Sequence, residues 1–311
     1  MDLPIEKIKE YYKKNNDPYL IVCFANINYK SILANWIQFM YKSNIYNFCI
    51  ICLDKYILKK CLEYNLFCVY YPIDTAYNFN DLWKNRIFLL KELVLNNIPI
   101  IHTDIDAIWV NNPYIYIQNL NDKYQPDIIG SQGLIFPETS FNKNKFIMCC
   151  GFFAVNPTPN SKKWMEKWLF ETEKANDDQV AFNKLLEWTN IKLENIDNYF
   201  REDLTKICPE RIYHYNQIIH LYGKSFTLNC SNNPKIGKTS SAQYPLNFVL
   251  LPMASFQRVP PTPNKAERMK KEKVYIKHYF TEKKEEDKIA LFQKHGLWED
   301  DSTLFFTSLH P

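Results

Sequence analysis

Runs of apolar residues alternate with amphipathic segments through the first half of the chain. Continuous apolar runs of strand length are typical of strands that are buried on both faces of a sheet. Such runs occupy residues 19–27, 47–54, 66–72 and 98–103. Apolar residues at helical spacing occupy the intervening segments 29–44, 55–65 and 80–97. This order predicts an α/β fold with a mixed, mostly parallel sheet that is flanked by helices.

The second half of the chain has a less regular pattern. Apolar runs predict strands at 126–133, 146–157, 247–251 and 274–280, with a shorter one near 212–215. Helical spacing predicts two consecutive helices, at 161–177 and 178–189, with Ser161 and Asp178 as their N-caps. Trp164 and Trp168 are one helical turn apart, which favours a place in the core.

Composition and charge limit the classes of protein that the chain can represent. It has 311 residues, of which 46% are hydrophobic, and this is enough for a large buried core. No repeat or linker divides the chain, so we predict one domain over residues 19–280. Residues 1–18 are then an N-terminal helical extension and residues 281–311 a C-terminal extension. The net charge of +4 does not form the dense basic stripe of a nucleic-acid-binding protein, so no nucleic-acid partner is expected.

Leader patterns and cysteines bear on where the protein works. The N-terminus lacks a charged-then-apolar leader, and no apolar run is long enough to span a membrane. We therefore expect a cytoplasmic protein, in the host cytosol if the source is a virus. The nine cysteines lie mostly in apolar runs, which indicates buried free thiols. Cys49 and Cys52 form a CxxC pair, but Cys149 and Cys150 are adjacent and do not complete a zinc spacing, so metal binding by cysteine is disfavoured.

Two aspartates follow the strand that is predicted at 98–103. Unpaired carboxylates are costly to bury, and on an extended chain Asp104 and Asp106 would point the same way. A divalent cation such as Mn²⁺ or Mg²⁺ would relieve their repulsion, since both ions accept oxygen ligands. The alternative is a solvated strand end, where the aspartates cap the next turn. The residues alone leave both interpretations open.

The segment "HTDIDAIWVNNP" at 102–113 resembles the DxD segment of the GT-A-type nucleotide-diphospho-sugar transferases. It is most similar to that of glycosyltransferase family 77, the group of the plant rhamnogalacturonan xylosyltransferases and extensin arabinosyltransferases. Further similar segments are "FANINYKSILANWIQF" (24–39), "CCGFFAVNP" (149–157), "NDDQVAFNKLL" (176–186) and "LNFVLLPMASF" (246–256). Cys149 and Cys150 stand where the family usually has Asn-Thr. The resemblance implies a GT-A fold with a Rossmann-like sheet.

The resemblance also implies a function and a set of site residues. The function is metal-dependent, retaining transfer of a sugar from a UDP-sugar to a protein or oligosaccharide hydroxyl. The implied metal ligands are Asp104, Asp106 and His278. The implied donor-binding residues are Phe24, Ala25, Asn26, Arg86, Asp104, Ile105, Asp106 and Gly151. Asp178 and Gln179 are the implied catalytic residues beside the donor sugar.

Each of these side chains also has a purely structural interpretation. Asn26 and Asp178 suit caps, Arg86 a solvated helix face, Gly151 a β-bulge, and His278 an edge strand in water. Strand alternation points His102 away from Asp104, so we expect a structural role for it.

Two other functions remain open at this point. One is a DxD phosphohydrolase or nucleotidyltransferase, which would cleave a diphosphate without passing a sugar to an acceptor. The other is a non-catalytic nucleotide-sugar-binding protein. The sequence shows no obvious nucleophile for a covalent intermediate, so retention would follow from front-face substitution.

Overall fold

A mixed β-sheet with helices on both faces forms the centre of the fold. The computed structural model describes residues 4–15, 17–73, 79–144, 146–187, 191–194, 199–203, 227–231, 235–239, 245–253, 255–258, 273–279 and 284–299. The strands are β1 (Leu20–Ala25), β2 (Phe48–Cys52), β3 (Cys68–Tyr70), β4 (Ile100–Thr103), β5 (Ile108–Trp109), β6 (Ile128–Gln132), β7 (Met148–Val155), β8 (Ile191–Glu194), β9 (Tyr199–Asp203), β10 (Thr227–Ser231), β11 (Lys235–Thr239), β12 (Asn247–Leu250), β13 (Phe256–Gln257) and β14 (Ile276–Lys277). The helices are α1 (Ile5–Asn15), α2 (Lys30–Lys42), α3 (Lys55–Glu63), α4 (Phe79–Leu95), α5 (Tyr114–Tyr124), α6 (Glu138–Asn144), α7 (Pro159–Ala175), α8 (Asp178–Glu187) and α9 (Glu285–Lys294). The strand expected near 212–215 lies outside the described residues.

The large sheet has the strand order β3-β2-β1-β4-β7-β6-β12-β11-β8. Strands β3, β2, β1 and β4 are parallel to one another. Strand β7 is inserted antiparallel between β4 and β6, and β12 is parallel to β6. The predicted α/β fold with a mixed, mostly parallel sheet is therefore confirmed.

Both faces of the sheet are buried, which explains why its strands read as continuous apolar runs. Every residue of β2 is buried. Alternate residues of that strand pack into separate hydrophobic cores on the two faces of the sheet. Ile50 and Cys52 lie in one core, and Cys49 and Ile51 lie in the other. Trp164 and Trp168 of α7 are buried on the second side, as predicted. Among the described residues, no helix is both long and apolar enough to cross a membrane.

A small three-stranded sheet brings two distant parts of the chain together. Strand β14 pairs antiparallel with β5, so Ile276 lies opposite Trp109. Strand β13 pairs with β14 on its other edge, and the His278 N–H donates to the Gln257 carbonyl at 2.8 Å. Because β5 begins two residues after Asp106, this pairing places His278 beside the aspartates.

The caps of α7 and α8 differ from the prediction. Helix α7 begins at Pro159, and Thr158 caps it in a reciprocal pair with Ser161, which is the third helical residue. Proline suits the first helical turn because its missing N–H would have no partner there, so it extends the helix toward the N-terminus. At α8, the Asp177 carboxylate accepts from Val180 N at 2.8 Å. The prediction of Ser161 and Asp178 as N-caps is wrong, and Asp178 is left available for other contacts.

Parts of both predicted extensions pack on the central core. Helix α1 buries Ile5 and Ile8 against one face of the sheet. Helix α9 buries Phe292 against the other face. The division of the chain at residues 18 and 280 remains a prediction.

Candidate functional site

The two aspartates lie in a tight turn between β4 and β5. Strand β4 ends at Thr103, and the Ala107 N–H donates to the Asp104 carbonyl at 3.0 Å. The Trp109 indole N–H donates to Thr103 Oγ1 at 3.1 Å, which ties the two ends of the turn together. The expectation that both aspartates lie on an extended chain is wrong, because the turn begins directly after the strand.

Asp104, Asp106 and His278 nevertheless converge. One ligand atom of each lies within 4.8 Å of the others. His278 Nε2 is 3.1 Å from Asp106 Oδ1 and 3.9 Å from Asp104 Oδ2. Two carboxylates and an imidazole are a donor set that Mn²⁺ and Mg²⁺ accept. The residues present therefore fit a divalent cation.

Strand β7 also contacts His278. Cys149 Sγ lies 4.0 Å from His278 Nδ1, so a group outside the triad contacts the second ring nitrogen. Such contacts orient metal-binding histidines. Cys149 was not predicted as a site residue. Its position two residues before Gly151, on the same face of β7, is the signal that could have indicated it.

Gly151 makes room for the triad. A Cβ atom at this position would overlap His278 Cε1 and lie 2.6 Å from Asp104 Oδ2. The register of β6 and β7 is irregular between the pairs Gly130–Phe153 and Gln132–Met148. Gly151 lies within this stretch of β7, so the β-bulge interpretation also agrees with the structure. The structure assigns the close approach at Gly151 to two triad side chains, whereas the contact with a donor sugar remains a prediction.

Arg86 of α4 joins the turn to α8. Its Nη1 donates to Asp104 Oδ1 at 2.8 Å, and its Nε donates to Asp178 Oδ2 at 2.9 Å. A second guanidinium nitrogen also contacts Asp178, and the guanidinium stacks 4.4 Å from the Trp83 ring centroid. Arg86 is only 4% exposed, so the solvated-face interpretation is wrong.

His102 also contacts the turn, contrary to expectation. Its Nε2 lies 3.2 Å from Asp104 Oδ1. The prediction that alternation directs it away fails because Asp104 leaves the strand and turns back toward β4. His102 is fully buried, which is consistent with a structural role that positions the carboxylate.

Lys288 of α9 completes the set of charges and was not predicted. It forms an ion pair with Asp106 Oδ2, and its side chain is 12% exposed. The Glu285 carboxylate, one turn earlier, accepts from the Ser31 N–H at 2.8 Å and attaches α9 to the start of α2. Lys288 lies in the charged run "KKEEDK", where sequence alone does not single out one lysine.

A pocket extends from the aspartates along the ends of β1 and β2. Its lining consists of Phe24, Ala25, Asn26, Tyr29, Leu53, Leu82, Trp83, Arg86, Asp104, Ile105, Asp106 and Lys288. Seven of these were predicted as donor-binding residues, namely Phe24, Ala25, Asn26, Arg86, Asp104, Ile105 and Asp106. Of the five others, Tyr29, Leu53, Leu82 and Trp83 have the apolar pattern of ordinary core residues, and the fifth is Lys288.

The arrangement of fold, acidic turn and pocket can be compared with known proteins. A model of the nucleotide-diphospho-sugar transferase family matches residues 43–292. The chain belongs to this family. The resemblance inferred from the sequence is thus confirmed, as is the glycosyltransferase class at the level of the family.

This family member has low sequence identity to the individual proteins that it resembles. UDP-D-xylose:L-fucose alpha-1,3-D-xylosyltransferase 1 of Arabidopsis thaliana is 27% identical over 128 residues, covering 36% of this chain and 34% of the relative. The match therefore spans about a third of that relative. The solved galactosyltransferase LgtC is 12% identical, with 94% of this chain and 96% of that chain covered and a TM-score of 0.43. Mouse xyloside xylosyltransferase 1 is 10% identical, with 66% and 93% covered and a TM-score of 0.39.

Cationic side chains oppose the effect of burial on the carboxylates of this family member's site. Burial alone would raise the pKa of Asp104, but Arg86 outweighs it and lowers that pKa to about 2. Burial would also raise the pKa of Asp106, but the nearby Lys288 and His278 outweigh it and hold that pKa well below the usual range. Burial raises the pKa of Asp178 to about 6, against the opposing effect of Arg86. Asp104 and Asp106 are therefore ionised at neutral pH, and Asp178 is the carboxyl whose pKa lies nearest neutrality.

Asp178 and Gln179 lie behind the pocket in the described structure. Asp178 is 3% exposed and faces Arg86. Gln179 Oε1 accepts from the Cys150 N–H at 3.3 Å, and its Nε2 donates to the Phe136 carbonyl at 2.8 Å. The structure therefore brings both residues next to the strand that carries Gly151, and their catalytic roles remain predictions.

Proposed function

We propose that the protein transfers a sugar from a UDP-sugar to a hydroxyl group of a protein or oligosaccharide, with a divalent cation at Asp104, Asp106 and His278. The convergence of these three side chains, two of which line the pocket, is the observation that carries the proposal. Ligands bind beyond the carboxyl ends of parallel strands in folds of this type. Strands β1 and β4 both end at this pocket, which is where a nucleotide diphosphate would lie.

The pocket suits the two halves of a nucleotide diphosphate. Phe24, Tyr29 and Leu53 offer apolar and aromatic surface for a base, while Lys288 offers positive charge near the aspartates. Lysine is a common point-charge partner of phosphates. The choice of UDP is supported by the Arabidopsis relative, a UDP-D-xylose:L-fucose xylosyltransferase.

Departure of the diphosphate is the step that needs positive charge. Mn²⁺ or Mg²⁺ bound by the triad would supply much of it by neutralising the phosphate oxygens. Arg86 keeps Asp104 ionised and oriented, and the Cys149 contact orients His278. Lys288 can exchange its contact with Asp106 for a phosphate oxygen, since both are anionic oxygens.

We further propose that the reaction retains anomeric configuration by front-face substitution. A nucleophile would need a free carboxylate beside the donor sugar. Asp178, the family's candidate position, is committed to Arg86 through two nitrogen contacts. The departing phosphate oxygen would then take the proton of the acceptor hydroxyl. A sugar adduct on Asp178, detected by mass spectrometry after incubation with donor alone, would refute this route.

The first test is calorimetric titration of UDP with and without Mn²⁺. Wild-type protein is expected to bind UDP only when Mn²⁺ is present, and Asp106→Ala should lose this binding. Asp122→Ala, an exposed aspartate on α5, is the matched control and should behave as wild type. Equal UDP binding by wild type and Asp106→Ala would contradict the proposal.

A second measurement distinguishes transfer from hydrolysis or nucleotidyl transfer. UDP release from a panel of UDP-sugars is followed with and without protein and oligosaccharide acceptors. Transfer requires that release depends on an acceptor and that the sugar appears on it. Release at the same rate without any acceptor would favour the phosphohydrolase, and binding without any turnover would favour a nucleotide-sugar-binding protein.

A further inference from the structure

Three buried cysteines meet on the sheet face opposite α4, in the core that α2 and α3 cover. Cys52 ends β2, Cys61 lies in α3, and Cys68 begins β3. Their exposures are 0%, 0% and 2%, and their sulfur atoms all lie within 4.8 Å of one another. The β2-α3-β3 unit therefore brings together three thiols that are separated along the chain.

This cluster is unrelated to the CxxC pair in the sequence. Residues three apart on a strand point to opposite faces of the sheet. Cys49 accordingly packs in the core on one side, and Cys52 on the other. The sequence spacings of known zinc motifs do not identify this cluster. Two of its cysteines lie at strand ends and the third lies on the helix between them.

The geometry suits a single metal ion. A Zn–S bond of about 2.3 Å places the sulfurs of a trigonal or tetrahedral site about 3.8–4.0 Å apart, within the separation found here. Thiolate sulfur selects soft ions such as Zn²⁺ and Cu⁺ over the hard ions that carboxylates prefer. Hard cations are therefore directed to the aspartates and soft ones to the cysteines.

A cationic side chain lies beside the cluster. Lys7 Nζ donates to the Cys68 carbonyl at 3.0 Å. Three thiolates around a divalent ion leave one negative charge, which the Lys7 ammonium can balance. The thiol protons pass to solvent when the metal binds.

We propose that Cys52, Cys61 and Cys68 form a structural thiolate site for one soft metal ion of the Zn²⁺ or Cu⁺ class. The site links the carboxyl end of β2 to α3 and β3. Leu53, the next residue after Cys52, lines the pocket. Asp54 caps α3 and accepts from the Ile27 N–H at 2.6 Å. A metal at the cysteines would therefore hold one wall of the pocket in place.

The test combines metal analysis with a spectroscopic probe. Protein purified under reducing conditions without chelator is analysed for zinc and copper, and is then titrated with Cd²⁺ after metal removal. We expect one soft ion per chain and a sulfur-to-cadmium charge-transfer band in the ultraviolet. The aspartate–histidine triad cannot give this band, so the readout does not depend on the proposed transferase activity.

Two variants assign the signal. Cys61→Ser should abolish the band and the bound zinc or copper, while Cys49→Ser, on the same strand as Cys52 but the opposite face, should keep both. Asp106→Ala should also keep both, which excludes the triad as the source. A wild-type protein that holds no soft metal and shows no band with Cd²⁺ overturns the proposal. A disulfide between two of these cysteines that persists under reducing conditions also overturns the proposal. Both of these results are obtained on wild-type protein, so they do not depend on whether Cys61→Ser folds.

Discussion

Lys288 and Asp106 are separated by 182 positions in the chain and form an ion pair at the mouth of the pocket. The lysine thus contacts the same carboxylate that the proposed cation would use. In the absence of donor, it would compete with the proposed cation for Asp106. In the presence of donor, it can pair with the diphosphate instead. This relationship predicts effects of opposite sign for one substitution.

Lys288→Gln should bind Mn²⁺ alone more tightly and UDP in the presence of Mn²⁺ more weakly. We expect each change to be roughly tenfold, or about 1.4 kcal/mol. Calorimetry of the two titrations measures both. Lys294→Gln, an exposed lysine later on α9, is the control and should change neither. If Lys288→Gln weakens both binding events equally, its role is structural only.

Gly151→Ala should damage the triad and leave the fold in place. The backbone of Gly151 has no left-handed φ, but an added Cβ would overlap His278 and crowd Asp104. We expect at least about a tenfold loss of Mn²⁺ affinity, which corresponds to about 1.4 kcal/mol, measured by electron paramagnetic resonance of free Mn²⁺.

Gly296→Ala is the matched control for this glycine. Gly296 has a φ of +62° and open space around its Cα, so alanine there costs about 1 kcal/mol of folding free energy through the backbone. We expect a lower melting temperature with unchanged Mn²⁺ affinity. The reverse pattern, with Gly151→Ala unfolded and Gly296→Ala unable to bind Mn²⁺, would contradict the assignment.

Asp178→Asn should lower the free energy of unfolding by about 3–5 kcal/mol, because it leaves part of a buried guanidinium charge unpaired. Lys84→Ala removes an ion pair with Glu173 on neighbouring exposed surface. That control should cost no more than about 1 kcal/mol. Urea denaturation measures both. Equal costs for the two variants would show that the Arg86 pair is not buried in solution.

Metal and nucleotide together should stabilise the wild-type protein. At a concentration of UDP about 100 times its dissociation constant, with Mn²⁺ saturating, linkage predicts about 2.7 kcal/mol of added stability. Thermal denaturation should detect this shift and its reversal by a chelator. His278→Ala, which lacks one proposed ligand, should show a much smaller shift at the same concentrations. An unchanged shift in that variant would remove His278 from the ligand set.

The fold was largely predictable because its central strands are buried on both faces. Strand β4, for example, lies within the apolar run at 98–103 and is buried throughout. The pattern of apolar residues reflects burial directly, so it located these strands without any knowledge of tertiary contacts. It failed at α7, where Pro159 and Thr158 extended the helix beyond the chosen Ser161, since several residue types suit the first turn.

The site was predictable only in part. Asp104 and Asp106 follow a strand, and their spacing identifies them. Lys288 and Cys149 reach the same place through strand pairing and helix packing, which no local pattern records. The same holds for Cys52, Cys61 and Cys68, whose convergence depends on the length of α3 and on the register of β2 with β3.

The pairing of β5 with β14 determines how the site can change over evolutionary time. His278 reaches the aspartates through a register that is set locally, where Lys277 lies opposite Ile108. A slip of one residue would turn the imidazole to the other face of that small sheet. Insertions in loops between β5 and β14 that leave this register and β7 unchanged should therefore keep His278 beside the aspartates.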